Sequence, residues 1–231
     1  MSRAWIPLTV MGLAACSDLT GGGNGVVALE VRLPSPAAVE PNDTLILHAR
    51  ALDTKGDSVP VPVLWRTLDD TLLTIVDSTG VVTTDKVSGQ PRVQAYVGSL
   101  GSQIITLTIR PRSDTLVVTV PTTITVPQGE LVSGPLGAAV QSLNPAGGVL
   151  GTSILYEVVD SVAARGTIRF ANGLLQFRAA TASNGAPTVP VLLTKVTDST
   201  PPGTVLVEVS AKRPSNTLVP GSGQRFTILF Q

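Results

Sequence analysis

From Val26 onward the chain is a succession of short β-branched runs, each broken after a few residues by Gly, Pro, Asn or Asp. Apolar residues do not recur there at the three- and four-residue spacing of an amphipathic helix. The pattern is typical of strands joined by tight turns and predicts an all-β fold of packed sandwiches. Candidate strands are 28–33, 44–51, 63–67, 73–76, 81–84, 92–97, 103–109, 115–120, 138–142, 154–159, 167–170, 174–179, 188–193, 204–211 and 225–230.

Alternation of side chains within the second run supports this interpretation. Leu45, Leu47 and Ala49 fall on one mostly apolar face, whereas His48 and Arg50 fall on the other. His48 is the one histidine of the chain, and its position predicts a solvated side chain rather than a metal ligand or a catalytic base.

The N-terminus has the layout of an export signal. Arg3 supplies a positive charge, and an uncharged, mostly apolar run follows, too short for a membrane-spanning helix. The run ends at Leu13, Ala14, Ala15 and Cys16, which resemble the lipobox of bacterial lipoproteins. The resemblance implies that 1–15 is a signal peptide and that the Cys16 thiol carries the lipid.

The segment after Cys16 predicts a short tether. Residues 16–25 are rich in glycine, and a coil of this length reaches about 15–18 Å. An Asp directly after the lipidated cysteine resembles a signal for retention in the inner membrane, but Ser17 occupies that position here. We therefore expect a lipid-anchored protein of the cell envelope, located at the outer membrane.

Residues about 26–110 resemble the bacterial immunoglobulin-like domain, group 2. The resemblance rests on Leu47, Ala49, Ala51, Asp53, Gly56, Trp65, Arg66, Thr67, Leu73, Thr74, Ile75, Val76, Asp77, Gly80, Val81, Val82, Thr83, Gly89, Val93, Gln94 and Ala95. Asn42 and Asp43 depart from it, since a glycine is usual there. The residues themselves predict that Trp65 fills the core and that Gly80 makes a tight turn. The family shares no catalytic residue and occurs mainly in surface, adhesive and envelope proteins.

A polar break at 110–114 predicts a boundary between an immunoglobulin-like domain at 26–112 and a second sandwich at 113–231. The second part has a looser resemblance to an invasin-type immunoglobulin-like domain. It rests on Thr181, Asn184, Gly185, Ala186, Val189, Val191, Leu193, Gly203 and 205–211. Asn172 and Gly173 predict a type I′ hairpin. The expected large core residues are Tyr156, Phe170, Phe177, Phe226 and Phe230.

The composition offers little for catalysis or for nucleic-acid binding. The chain has one cysteine and one histidine, so neither a disulfide nor a Cys/His metal cluster can form within it. Lys and Arg total 16, as do Asp and Glu, which leaves no basic field for phosphates. We therefore expect no catalytic, cofactor or metal site and no nucleic-acid partner.

The acidic residues leave two alternatives open. The pairs Asp69 with Asp70 and Asp53 with Asp57 could serve glycosidase chemistry, but their turn-like surroundings favour solvated carboxylates. The same residues together with Asp77 could bind calcium between strands, although their spacing matches no EF-hand.

These observations predict a non-catalytic envelope lipoprotein that presents immunoglobulin-like domains for adhesion or scaffolding. Its expected partners are the membrane, through the lipid on Cys16, and a surface protein or polysaccharide. The alternative is a carbohydrate-binding accessory module at the cell surface, which would need exposed aromatic rings.

Overall fold

The structure is a computed structural model that describes residues 25–160, 168–195 and 203–231. Every regular element in these ranges is a strand, and the strands divide into two sets that share no sheet. Within the same ranges no helix is long and apolar enough to cross a membrane.

The first set, called the N-terminal sandwich, contains twelve short strands within the described residues. They are β1 (Ala28–Arg32), β2 (Ala38–Val39), β3 (Leu45–Ile46), β4 (His48–Leu52), β5 (Ser58–Val59), β6 (Leu64–Thr67), β7 (Thr74–Ile75), β8 (Val81–Thr83), β9 (Arg92–Val97), β10 (Leu100–Gly101), β11 (Ile105–Thr106) and β12 (Thr108–Ile109). Its sheets are β1-β4-β5, β3-β8-β7, the set of β9 with β6, β10 and β11, and the pair of β2 with β12. Several of these sheets contribute to one buried cluster around Trp65, Val82 and Val93.

The second set is the C-terminal sandwich. Its strands are β13 (Thr115–Val118), β14 (Thr123–Val126), β15 (Ala138–Leu143), β16 (Ala146–Gly148), β17 (Ser153–Asp160), β18 (Ile168–Phe170), β19 (Gln176–Ala180), β20 (Leu193–Lys195), β21 (Gly203–Ala211) and β22 (Gln224–Phe230). A five-stranded sheet in the order β14-β22-β21-β17-β19 packs against the smaller sheets β13-β15-β16 and β18-β20. The predicted all-β sandwich fold is confirmed.

Each sandwich is closed by a parallel pair between an early and a late strand. In the N-terminal sandwich β12 lies parallel to β2, with Ile109 opposite Val39. In the C-terminal sandwich β14 lies parallel to β22, with Val126 opposite Phe230. The remaining named strand pairs are antiparallel.

The expected aromatic core is largely confirmed. Tyr156, Phe170, Phe226 and Phe230 are buried, whereas Phe177 is half-buried and packs on Phe170 with 6.0 Å between ring centroids. The Tyr156 hydroxyl is buried without a hydrogen bond of ordinary geometry among the described residues. Burial raises the pKa of this phenol well above its ordinary value of 10.0, more than a weak interaction with the Ala138 backbone lowers it.

Several predicted strands are wrong in detail. The run 44–51 is divided, because β3 pairs with β8 while β4 pairs with β1. The predicted strand 188–193 is mostly irregular, and only Leu193 belongs to β20. Pro190 lies within that run and lacks the N–H that a sheet ladder needs. The strands β2, β5, β10, β14 and β16 were not predicted, and Thr167 lies outside the described residues.

The predicted type I′ hairpin at Asn172 and Gly173 is also wrong. Gly173 has φ of 76°, but Asn172 is not among the residues of positive φ, and a type I′ turn needs both. The Gly173 N–H donates to the Phe170 carbonyl at 2.8 Å, so the turn spans 170–173. The flanking strands β18 and β19 belong to different sheets. This turn therefore carries the chain from one layer of the sandwich to the other.

Candidate functional site at the junction of the sandwiches

Glu40 is the only buried carboxylate among the described residues, with 1% of its surface exposed. It follows β2 directly, and Arg110 follows β12 directly. Because β2 and β12 pair in parallel with Val39 opposite Ile109, the two charged residues emerge side by side. The Arg110 N–H donates to the Val39 carbonyl at 3.2 Å, which continues the ladder to this point.

Arginine and serine groups surround the Glu40 carboxylate. Arg110 donates from Nε to Oε1 at 3.0 Å, and its Nη2 lies 2.9 Å from the same oxygen. Ser113 donates from its backbone N–H to Oε2 at 2.9 Å and from its hydroxyl to Oε1 at 2.8 Å. Both carboxylate oxygens are therefore engaged by groups near the connection between the sandwiches.

Arg213 reaches the same carboxylate from the C-terminal sandwich. Its Nε lies 3.8 Å from Glu40 Oε2 and donates to the Ser113 carbonyl at 3.0 Å. Only 11% of the Arg213 side chain is exposed, compared with 8% for Arg110. One carboxylate thus faces two guanidinium groups, and Arg213 ties it to the second sandwich.

The hydrogen bonds continue into the C-terminal sandwich. The Ser113 hydroxyl lies 3.3 Å from the Thr152 hydroxyl, and the Thr152 N–H donates to the Thr181 hydroxyl oxygen at 2.9 Å. Thr181 in turn donates to the Val149 carbonyl. All of these side chains are buried. A continuous polar chain therefore runs from Glu40 into the second sandwich.

Two further contacts cross between the sandwiches beside this chain. Arg110 Nη1 lies 3.4 Å from the Leu150 carbonyl, a long hydrogen bond. The Ser215 hydroxyl donates to Asp43 Oδ2 at 2.6 Å. We call the group of Glu40, Arg110, Ser113, Thr152 and Arg213 the buried junction.

A tight turn fixes the approach of Glu40 and Asp43 to this junction. The Asp43 N–H donates to the Glu40 carbonyl at 3.2 Å, and Asn42 has φ of 55°. Pro41 precedes it, which is the residue order of a type II turn. Asparagine tolerates this left-handed conformation better than most residues. Asn42 thus supplies the positive φ that glycine usually supplies in such a turn.

The charges of the buried junction depend on one another. Removing one partner of a buried ion pair costs about 3–5 kcal/mol, because the charge that remains is buried without its partner. The ion pair that crosses between the sandwiches is that of Glu40 with Arg213. The junction can thus hold two sandwiches in one orientation, and the Ser113 hydroxyl that bonds to Glu40 is fully buried within it.

The buried junction was not predicted from the sequence. Residues 110–114 were interpreted as a polar break, yet Arg110 is 7% exposed and Ser113 is fully buried. The bounds of the two domains at 112 and 113 stay a prediction. One feature of the sequence is consistent with a buried Glu40. This residue directly follows the apolar pair Ala38 and Val39, in a chain with only 14% charged residues.

The other residues singled out in the sequence lie elsewhere. Cys16, the signal peptide and nearly all of the tether lie outside the described residues. His48 is exposed on β4, as predicted. Trp65 is buried, and Gly80 has φ of 67°, with its Cα so close to the core that an added Cβ would lie 2.6 Å from the Leu47 carbonyl oxygen.

The aspartates do not converge on a site. Asp69 bonds to Arg92, whose side chain donates to both carboxylate oxygens and holds the pKa of Asp69 below its ordinary value. Asp53 accepts the backbone N–H groups of Lys55 and Asp57 within a turn. Among the described residues no group of three or more potential ligands could hold a metal ion.

No protein-family model matches the chain, and no curated protein matches it either. Among solved structures it is similar to domains 4 and 5 of the S-layer protein SbsC, with 14% identity over 89% of this chain and 98% of that one, at a TM-score of 0.32. It is similar to the Yersinia pseudotuberculosis adhesin InvE, with 17% identity, 91% and 62% coverage, and a TM-score of 0.41. It is also similar to fibronectin(III)-like modules of Clostridium thermocellum CbhA, with 15% identity over 87% of this chain and 94% of that one, at a TM-score of 0.38. We infer no function from likenesses at these TM-scores.

Proposed function

We propose that this chain is a non-catalytic lipoprotein of the bacterial cell envelope, in which a lipid on Cys16 anchors two immunoglobulin-like sandwiches that serve adhesion or scaffolding. The buried junction carries the proposal, because it joins the sandwiches by the ion pair of Glu40 with Arg213 and by hydrogen bonds of Glu40 and Arg110. A rigid pair of sandwiches can hold a binding surface at a set distance and angle from a membrane, and this task needs no reactive group.

The sequence around Cys16 supports the anchor. Leu13, Ala14 and Ala15 before the cysteine suit lipidation, and Ser17 after it favours the outer membrane as destination. Each buried acyl CH₂ contributes about 0.8 kcal/mol, so several chains hold a protein at the membrane without help from its folded body.

Detergent phase partitioning with intact-mass analysis tests the anchor. The native protein is expected in the detergent phase with lipid mass on an N-terminal Cys16, and the Cys16→Ser variant in the aqueous phase. If both partition into the aqueous phase without added mass, the lipoprotein part of the proposal is wrong.

Small-angle X-ray scattering tests the rigid pair. The Cys16→Ser chain is expected to scatter as one elongated body of fixed shape, and adding Arg213→Gln is expected to broaden its distribution of distances. The matched control is Arg225→Gln, which removes an exposed guanidinium within the same sandwich. Scattering from the parent chain that fits only a mixture of orientations would contradict the proposal.

A carbohydrate-binding module that stacks sugars on aromatic rings has less support. Most aromatic side chains of the described residues are buried, and the half-buried Tyr96 and Phe177 belong to different sandwiches. Tyr96 is moreover covered by Arg66, whose guanidinium carbon lies 5.7 Å from the ring centroid.

A further inference from the structure

A cleft of about 790 Å³ lies beside the buried junction, between the two sandwiches. One wall is the loop of Pro34, Ser35 and Pro36 in the N-terminal sandwich, and the rest belongs to the C-terminal sandwich. The volume is within the range of about 300–1,000 Å³ that is usual for small-molecule sites, and such sites favour the boundary between domains.

The wall from the C-terminal sandwich is the outer face of three neighbouring strands. Arg178 on β19 lies opposite Leu155 on β17, and Leu155 lies opposite Ser210 on β21. Ser153 lies two residues before Leu155 on the same face, and Lys212 directly follows β21. The register therefore brings two cationic side chains and two hydroxyl groups to one end of the sheet face.

The charged side chains that line the cleft are all cationic. Arg178, Lys212 and Arg213 line it, and no carboxylate does so among the described residues. Lys212 Nζ donates to Asn216 Oδ1 at 3.0 Å, which leaves two of its three N–H groups available. Behind Arg213, the Glu40 carboxylate is also paired with Arg110, so the three groups together, Arg213 included, carry a net charge of +1.

The next row of residues on the same sheet face carries two carboxylates. Glu157 lies opposite Glu208 there, and Gln176 and Arg225 bond to them from the neighbouring strands. An anion on this face is therefore attracted to the end that carries Arg178 and repelled from the row beyond it. The net charge of the whole chain is zero, so the cationic lining of the cleft reflects a local separation of positive from negative side chains.

We propose that the cleft binds an acidic oligosaccharide, a short chain of sugars that carries carboxylate groups. The strand that carries Arg178 and the strand that precedes Lys212 are two apart in the sheet, about 10 Å, so the two cations can bind separate carboxylates of one chain. Ser153 and Ser210 offer hydrogen bonds to sugar hydroxyls. With no aromatic ring in the lining, charge rather than stacking selects the ligand.

The two sandwiches share the walls, so binding depends on the orientation that the buried junction fixes. The ligand is thus expected to stabilise the junction, and loosening the junction is expected to weaken binding. The proposal rests on the cleft alone and holds whether or not Cys16 is lipidated.

Isothermal titration calorimetry at low salt tests the proposal, with native protein in detergent and trigalacturonate as the probe. We expect saturable binding that weakens as salt is added, and no binding of the neutral trisaccharide maltotriose. The double variant Arg178→Gln with Lys212→Gln is expected to raise the Kd about tenfold or more. Equal amounts of inorganic phosphate are expected to compete poorly, since one phosphate offers the cleft fewer contacts than a trisaccharide with three carboxylates.

The matched control is Arg50→Gln with Lys86→Gln, which removes the same charge from exposed cations outside the cleft. Its Kd should stay within about twofold of wild type. The proposal is overturned if trigalacturonate does not bind, if maltotriose binds equally well, or if phosphate competes mole for mole. It is also overturned if the control variant weakens binding as much as the cleft variant does. Urea midpoints of both variants verify that they fold.

Discussion

Replacing Glu40 by glutamine is the most direct challenge to the buried junction. Glutamine keeps the shape of the side chain but exchanges one acceptor oxygen for an NH₂ group. Oε1 accepts from Arg110 and Oε2 accepts the Ser113 N–H, so the NH₂ group meets a donor in either orientation. The variant therefore loses at least one hydrogen bond and leaves Arg110 and Arg213 buried without their counter-charge.

The expected cost follows from these contacts. A hydrogen bond to a charged group contributes about 1.5–3 kcal/mol. Removing one partner from a buried ion pair costs about 3–5 kcal/mol in total. With an m-value of about 2 kcal/mol per molar urea, the unfolding midpoint of Glu40→Gln should fall by about 2 M.

Urea unfolding of a Trp5→Phe chain provides the assay, because Trp65 then reports on the core of the N-terminal sandwich alone. Circular dichroism reports on both sandwiches. The two probes should coincide in the parent chain and separate in Glu40→Gln, since the junction couples the sandwiches. The control is Glu30→Gln, which removes a partly exposed carboxylate on β1. The reasoning is refuted if Glu40→Gln shifts the midpoint no further than this control.

Three other predictions concern single side chains. Both Gly80 and Gly98 have positive φ, but only at Gly80 would an added Cβ collide with neighbouring atoms. Urea unfolding should therefore show a clearly larger loss of stability for Gly80→Ala than the loss of about 1–2 kcal/mol expected for Gly98→Ala. Tyr156→Phe should raise the free energy of unfolding by about 1 kcal/mol, because it removes a buried hydroxyl without a good partner, and an unchanged or lower value would count against this. Asp69 has a pKa held below 3.8 by Arg92, so it stabilises the folded state above that pH and loses the effect as pH falls. Acid unfolding curves should therefore be shallower for Asp69→Asn, and parallel curves would contradict the assignment.

The features that could be predicted from the sequence are those with a local signal. The strand Arg92–Val97 was predicted to the residue, because β-branched and apolar residues alternate between turn residues. Trp65 is a large apolar side chain on a strand, where burial in a core is the usual outcome. Gly80 marks a turn whose backbone most residues cannot adopt.

The features that could not be predicted depend on partners far along the chain. The strand β14 is held by β22, and nothing local to 123–126 distinguishes it from a loop. The Asn172–Gly173 pair is a real turn signal, but the sheet to which each flanking strand belongs is a tertiary property. The buried junction joins Glu40 to Arg213, and a single charged residue between turns is usually solvated.

The parallel closing pairs have a consequence for the order in which the chain can fold. In the C-terminal sandwich, Thr123 lies opposite Thr227, about a hundred residues later. The loop between them must be closed before these hydrogen bonds form, and contacts of such long range slow folding. The five-stranded sheet therefore stays incomplete until the last strand has been synthesised. A nascent chain has long exposed β-strands in the meantime, which makes it dependent on protection from aggregation up to the moment of closure.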